Sequence, residues 1–157
     1  MTLHQLIENI NNHFKFNNNL KNANHLLESY KTKDWINYKS NISNGYNRNL
    51  VYKCNNYEIY IISWGKNSES PIHNHPKGGC LMKILEGSLK EDIYNKNIII
   101  KKQNYLVKNI VKYIDDSIGY HKILNYNNDY TYSIHVYSPC NFETKKFVDV
   151  PQSKKQN

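Results

Sequence analysis

Two rhythms of apolar positions divide the chain. Near the start, Leu3, Leu6, Ile7, Ile10 and Phe14 recur at helical spacing and so share one face of a helix. A second helix is predicted over roughly 20–30, where Leu26, Leu27 and Tyr30 can share a face. Asn17-Asn18-Asn19 between them suits a break and a cap. From about Leu50 the rhythm shortens to β-type runs. Residues 57–64, 80–85, 89–94, 97–101, 105–113 and 130–137 each read as a strand, and Glu86-Gly87-Ser88 and the 115–119 stretch read as turns. Many short strands with regular turns predict a mainly β fold, a sandwich or barrel, behind N-terminal helices.

At 157 residues the chain fits one domain. Its expected parts are N-terminal helices over about 1–32, a β-barrel over about 45–148 and a loose polar tail over 149–157. Neither a repeat nor a linker is visible. No apolar run is long enough for a membrane span, and the polar, periodic start lacks the layout of a secretion signal. Cys54, Cys80 and Cys140 are odd in number and widely spaced, with no Cys-x-x-Cys pair. That argues against a disulfide framework or a thiolate zinc site and for a reducing, cytoplasmic setting.

Charge changes the picture in one place. The net charge of +8 suggests nucleic acid as one partner. The lysines are scattered, however, with doublets only at Lys101-Lys102, Lys145-Lys146 and Lys154-Lys155, and no nucleic-acid motif accompanies them. A solvated basic surface is the simpler reading. The skew toward Asn, Lys, Ile and Tyr is the mark of A/T-rich coding. Against it, 20 of the 21 basic residues are lysine and one is arginine, Arg48. Lysine supplies charge equally well but cannot form a planar two-pronged hydrogen bond. A site gripping a carboxylate is where such a fork would persist.

The candidate chemistry begins at His73-Asn74-His75. Residues two apart in an extended strand point to one face, so two imidazoles can hold one metal ion. A third histidine follows in Gly119-Tyr120-His121. His73-x-His75, Gly87, then His121 and Asn125 resemble the two metal motifs of the cupin superfamily. That resemblance implies a small cupin (jelly-roll) β-barrel. The usual cupin glutamate ligand is missing, because no acidic residue lies between His75 and Glu86. Three neutral imidazoles leave a divalent charge uncompensated, so the open positions favour an anionic ligand such as a thiolate. Cys80 could itself be that ligand.

Four linked segments resemble the cysteine dioxygenase family more specifically. They are Tyr46-Asn47-Arg48-Asn49-Leu50 with Trp64-Gly65 downstream; His73-Asn74-His75 with Cys80 and Lys83-Ile84-Leu85-Glu86-Gly87; Gly119-Tyr120-His121; and Ser133-Ile134-His135-Val136-Tyr137-Ser138-Pro139. The resemblance implies a thiol dioxygenase oxidising L-cysteine with O2 to cysteine sulfinate. Fe(2+) would sit on His73, His75 and His121. It implies that Arg48 holds the substrate carboxylate, that Tyr46 lines the pocket and that Tyr137 is the active-site phenol. His135 and Ser133 would orient that phenol, and Cys80 could join Tyr137 in a thioether. Asn74, Gly79 and Cys140 depart from common family residues, and the chain ends sooner after the barrel than longer, animal-type members do. No catalytic role attaches to Cys54 or Cys140. A monomer without nucleic-acid or membrane partners is expected. The competing readings are a dioxygenase of 3-mercaptopropionate or cysteamine, a non-catalytic cupin, and a basic nucleic-acid-binding protein. A cysteamine enzyme would have no use for the Arg48 fork.

Overall fold

The computed structural model describes residues 1–149. Helix α1 covers Leu3–Phe14, α2 covers Asn24–Glu28, and a 3-10 turn covers Asp34–Tyr38. Ten strands follow: β1 Tyr46–Lys53, β2 Glu58–Trp64, β3 Ile72–His73, β4 Cys80–Glu86, β5 Ser88–Tyr94, β6 Ile100–Val107, β7 Val111–Ile114, β8 Tyr120–Leu124, β9 Thr131–Tyr137 and β10 Lys146–Phe147. They form two five-stranded sheets, β1-β2-β9-β4-β7 and β10-β3-β8-β5-β6. All pairings are antiparallel. The mainly β jelly roll with N-terminal helices is as the sequence predicts; its two sheets face each other rather than closing into one continuous ladder.

The first sheet is covered on both faces, which explains why β2, β4 and β9 read as near-continuous apolar runs. Along each strand alternate residues take opposite sides. Ile59 and Ile61 of β2, Leu81 and Leu85 of β4, and Tyr132, Ile134 and Val136 of β9 pack outward against Leu3, Leu6, Ile10, Leu27 and Tyr30. The intervening positions, Ile62, Trp64, Met82 and Ile84, pack inward against Leu89, Leu106 and Ile123 of the second sheet. α1 is set by its apolar stripe and by a capping box in which Thr2 and Gln5 satisfy each other's backbone. Lys83 points outward from β4 beneath the helices, where burial pulls its pKa down. Its ammonium donates to the carbonyls of Leu27 (3.0 Å) and Tyr30, closing the carbonyl end of α2.

Several predicted boundaries are corrected. The second helix is five residues long rather than spanning 20–30. Asn22 takes a positive φ of 61°, and the Leu20 amide is committed to the Gly78 carbonyl. The strands predicted at 97–101 and 105–113 regroup into β6 and β7, because turns intervene with Ile98 (φ 60°) and Asn109 (φ 73°) left-handed. β1, β8 and β10 carried too little alternation to be predicted as strands, and β3 ends at His73, short of the extended segment expected through His75. The predicted tail, apart from residue 149, lies outside the described residues.

Candidate metal centre

β3 and β8 are hydrogen-bonded neighbours, and their register sets His73 directly opposite His121. His75 lies two residues past the end of β3 rather than within an extended strand, as the sequence had suggested. The turn after β7 fixes it instead: Asp116 Oδ1 accepts from the His75 backbone N–H at 2.8 Å. The three imidazoles converge, with their ligand nitrogens all within 4.8 Å of one another.

Each ring is anchored through Nδ1. His73 Nδ1 donates to the Pro71 carbonyl at 2.8 Å. His75 Nδ1 lies 3.2 Å from Asp116 Oδ1, and His121 Nδ1 lies 2.9 Å from Glu91 Oε2. Carbonyl and carboxylate oxygens accept, so each Nδ1 carries the proton and each Nε2 presents a lone pair. His73 Nε2 and His121 Nε2 then face each other at 3.0 Å as two acceptors. His75 Nε2 is buried with no hydrogen-bond partner among the described residues. Three converging lone pairs without a proton between them fit a metal ion. Burial, followed by the neighbouring histidines, holds His73 and His121 well below the ordinary histidine range. Both are therefore neutral, the form a metal requires.

The rings of His73 and His121 form one wall of a cavity of about 120 Å³. Arg48, on β1, faces them from the first sheet. Its guanidinium lies 4.4 Å from the centre of the Tyr60 ring and 5.2 Å from that of Tyr137. Stacking on two aromatic faces holds the fork while leaving its N–H groups to a ligand. No carboxylate pairs with it among the described residues. Tyr46 also lines the cavity, its ring 4.8 Å from that of Trp64.

Ser133, His135 and Tyr137 form the inward row of β9, and a hydrogen-bond chain runs along them. Trp64 Nε1 donates to Ser133 Oγ at 2.9 Å. Ser133 Oγ lies 2.9 Å from His135 Nε2, and His135 Nδ1 lies 3.1 Å from the Tyr137 hydroxyl. The indole can only donate, so Ser133 Oγ accepts from Trp64 and keeps its own proton and a second lone pair to meet either tautomer of His135. His135 Nδ1 in turn holds the phenol oxygen, and with the Nδ1–H tautomer the phenol proton is left to point into the cavity. Burial, with Arg48 next, keeps His135 neutral. Burial and then Cys80 push Tyr137 well above the usual phenol range. Cys80, also raised by burial, stands directly opposite Tyr137 in the β4–β9 ladder.

All nine residues singled out from the sequence thus gather around one cavity or directly behind its wall. Sequence reasoning missed Glu91, Asp116 and Tyr60. An acidic residue at an inward position of a predicted strand was the available signal for Glu91. Asn125, part of the cupin pattern, instead buttresses the 65–68 turn through bonds from Nδ2 to the carbonyls of Trp64, Gly65 and Asp129. Cys54 and Cys140 do not line the cavity.

Comparison with known proteins agrees with this architecture. The model of the family "Cysteine dioxygenase type I" matches residues 1–149. The chain is 31% identical over 150 residues to cysteine dioxygenase type 1 of Danio rerio, covering 88% of this chain and 75% of that protein. It is 34% identical over 131 residues to the Rattus norvegicus protein of that name, covering 77% of this chain and 66% of the other. A Klebsiella pneumoniae protein with a double-stranded β-helix domain superposes with a TM-score of 0.62 at 15% identity, over 75% of this chain and 92% of its own. A cupin-superfamily sugar phosphate isomerase of Silicibacter pomeroyi gives 0.53 at 8% identity, over 69% and 82%. These two structures share the fold alone. With three histidines converging on one inward face of a jelly roll and the family match covering residues 1–149, this chain belongs to the cysteine dioxygenase type I family.

Proposed function

We propose that this protein oxidises L-cysteine with O2 to cysteine sulfinate, using one Fe(2+) held by His73, His75 and His121. The observation that carries the reading is the pairing, within one small cavity, of converging imidazole lone pairs with an arginine that has no carboxylate partner among the described residues. A bound Fe(2+) supplies the electron transfer that O2 needs before it reacts with a closed-shell thiolate, together with a Lewis-acidic centre for the sulfur.

The chain's own groups do the positioning. Arg48 grips the substrate carboxylate in a two-pronged bond, which fixes the sulfur end toward the histidines. Tyr46 closes one side of the pocket. The Tyr137 phenol donates into the cavity, toward the carboxylate or the reacting oxygen. Trp64, Ser133 and His135 hold that donor in one orientation. Both atoms of O2 end on sulfur, and the thiol proton is released with the sulfinate. The cavity is small and, among the described residues, its walls carry Arg48 and Lys146 but no acidic side chain, which suits a compact, anionic thiol. Cysteamine lacks the group that Arg48 would hold. Free Cys54, Cys80 and Cys140 accord with a reducing, cytoplasmic setting.

The test is direct. The Fe(2+)-loaded protein is supplied with cysteine in air-saturated buffer, and sulfinate and O2 are followed together. One sulfinate per O2 is expected, with cysteamine and 3-mercaptopropionate turned over far more slowly. Failure to form sulfinate, or a preference for either analogue, overturns the reading.

A further inference from the structure

We propose that Glu91 is a positioning residue of the metal centre, and that its carboxylate supplies, one hydrogen bond behind His121, the negative charge that a three-histidine ligand set lacks. The proposal rests on the metal-binding half of the function proposed above. Glu91 lies on β5 and is 1% exposed. Its two oxygens are both committed. Oε2 meets His121 Nδ1 at 2.9 Å, and Oε1 accepts from Asn104 Nδ2 at 3.0 Å. Among the described residues no lysine or arginine makes an ion pair with it. A carboxylate taken out of water is costly unless a positive charge compensates it. Among the described residues the ring it meets is that of His121, whose far nitrogen converges with those of the other two imidazoles. A divalent ion on the far nitrogen of that ring resolves the imbalance: the cation compensates Glu91, and Glu91 offsets part of the cation's charge.

The three ring anchors are unequal in this respect. His73 leans on the neutral carbonyl of Pro71. His75 leans on Asp116, whose side chain is 45% exposed and screened by water. Only His121 has a fully buried carboxylate behind it. The charge that a cupin glutamate would place on the metal therefore sits outside the coordination sphere.

Glu91→Gln separates charge from geometry. The amide oxygen still accepts from His121 Nδ1–H, and the Asn104 amide can flip to accept from the new NH2 group. Affinity for Fe(2+) and for Co(2+), measured by competition with a chromophoric chelator, is expected to fall about 10–100-fold. The midpoint potential of the bound iron is expected to move positive, because a nearby negative charge that favours the ferric form is gone. A purely structural role would leave the potential in place. Asp116→Asn should lower affinity less. Asp92→Asn should leave it unchanged: Asp92 is the next residue on β5, also buried, but faces Gln103 and Lys90 on the other side. If Glu91→Gln does not fold, Asn104→Ala, which frees one Glu91 oxygen, should still weaken metal binding several-fold. Wild-type affinity and potential in Glu91→Gln, or wild-type affinity in Asn104→Ala where only that variant folds, overturn the proposal. Should either result come with normal sulfinate formation by the wild type, the function stands and only the role of Glu91 falls. A wild type that binds neither ion overturns both.

Discussion

Cys80 and Tyr137 stand directly opposite each other across the β4–β9 ladder, both on the face that looks into the cavity. Directly opposed residues carry their Cβ atoms about 5 Å apart, and the thiol is close enough for the phenol to influence its ionisation. Joining the sulfur to a ring carbon would remove the S–H and one ring C–H hydrogen, with O2 as the oxidant. It would lock the phenol whose orientation Trp64, Ser133 and His135 already restrict. Protein purified after turnover is expected to contain a population lighter by two hydrogens by intact mass. Cys80→Ser should abolish that population while still binding metal. A wild type at full mass after many turnovers would falsify the linkage.

Arg48→Lys is expected to leave metal affinity unchanged and to raise KM for cysteine about 10–100-fold, the loss of one charge-assisted hydrogen bond out of a fork. Lysine retains the charge but neither the second prong nor the stacking on Tyr60 and Tyr137. Steady-state kinetics with cysteine check this, and unaltered KM would remove Arg48 from the substrate site.

His135 makes folding sensitive to acid. Its folded-state pKa is depressed, so below about pH 6.5 the unfolded chain takes up a proton that the folded chain refuses. Stability is therefore full above that pH and is lost as pH falls from it toward the lower folded value. One such group contributes a slope of at most about 1.4 kcal/mol per pH unit. Thermal melts of the metal-free protein between about pH 7.5 and pH 5 should show His135→Gln losing stability less steeply than wild type. Parallel curves would contradict this account.

Gly87, between β4 and β5, takes a φ of 84°, and a Cβ added there would sit 2.3 Å from Thr131 Oγ1. Thr131 is itself tied to this turn by its bond to the Ser88 carbonyl. Gly87→Ala is expected to cost about 2–4 kcal/mol, from left-handed strain plus overpacking. Urea unfolding measures it; a loss below about 0.5 kcal/mol, within the ordinary range for surface changes, would mean that the turn rearranges freely.

Much of this protein was legible along the chain because the relevant signals are local. The stripe Leu3–Leu6–Ile10 gave α1. The short runs over 57–64 and 130–137, rich in β-branched and aromatic residues, gave the two central strands. Gly87 marked the turn between β4 and β5. Reading 105–113 as one strand failed because Asn109 adopts a left-handed conformation that apolar periodicity does not report. β3 and β10, two residues each, exist only because partner strands pair with them.

The sequence by itself determined the chemical inventory: imidazoles two apart, a third far downstream, no carboxylate between His75 and Glu86, and one arginine in a lysine-rich chain. These are identities and spacings, which need no fold to be read. Only the tertiary structure decided which nitrogen of each ring is free. That depends on Pro71, Asp116 and Glu91 arriving from a loop, a turn and a neighbouring strand to take each Nδ1 proton. Charge balance at the centre was decided in the same way: β5 lies beside β8 in the second sheet, so Glu91, 30 residues from His121 in sequence, ends one hydrogen bond behind it.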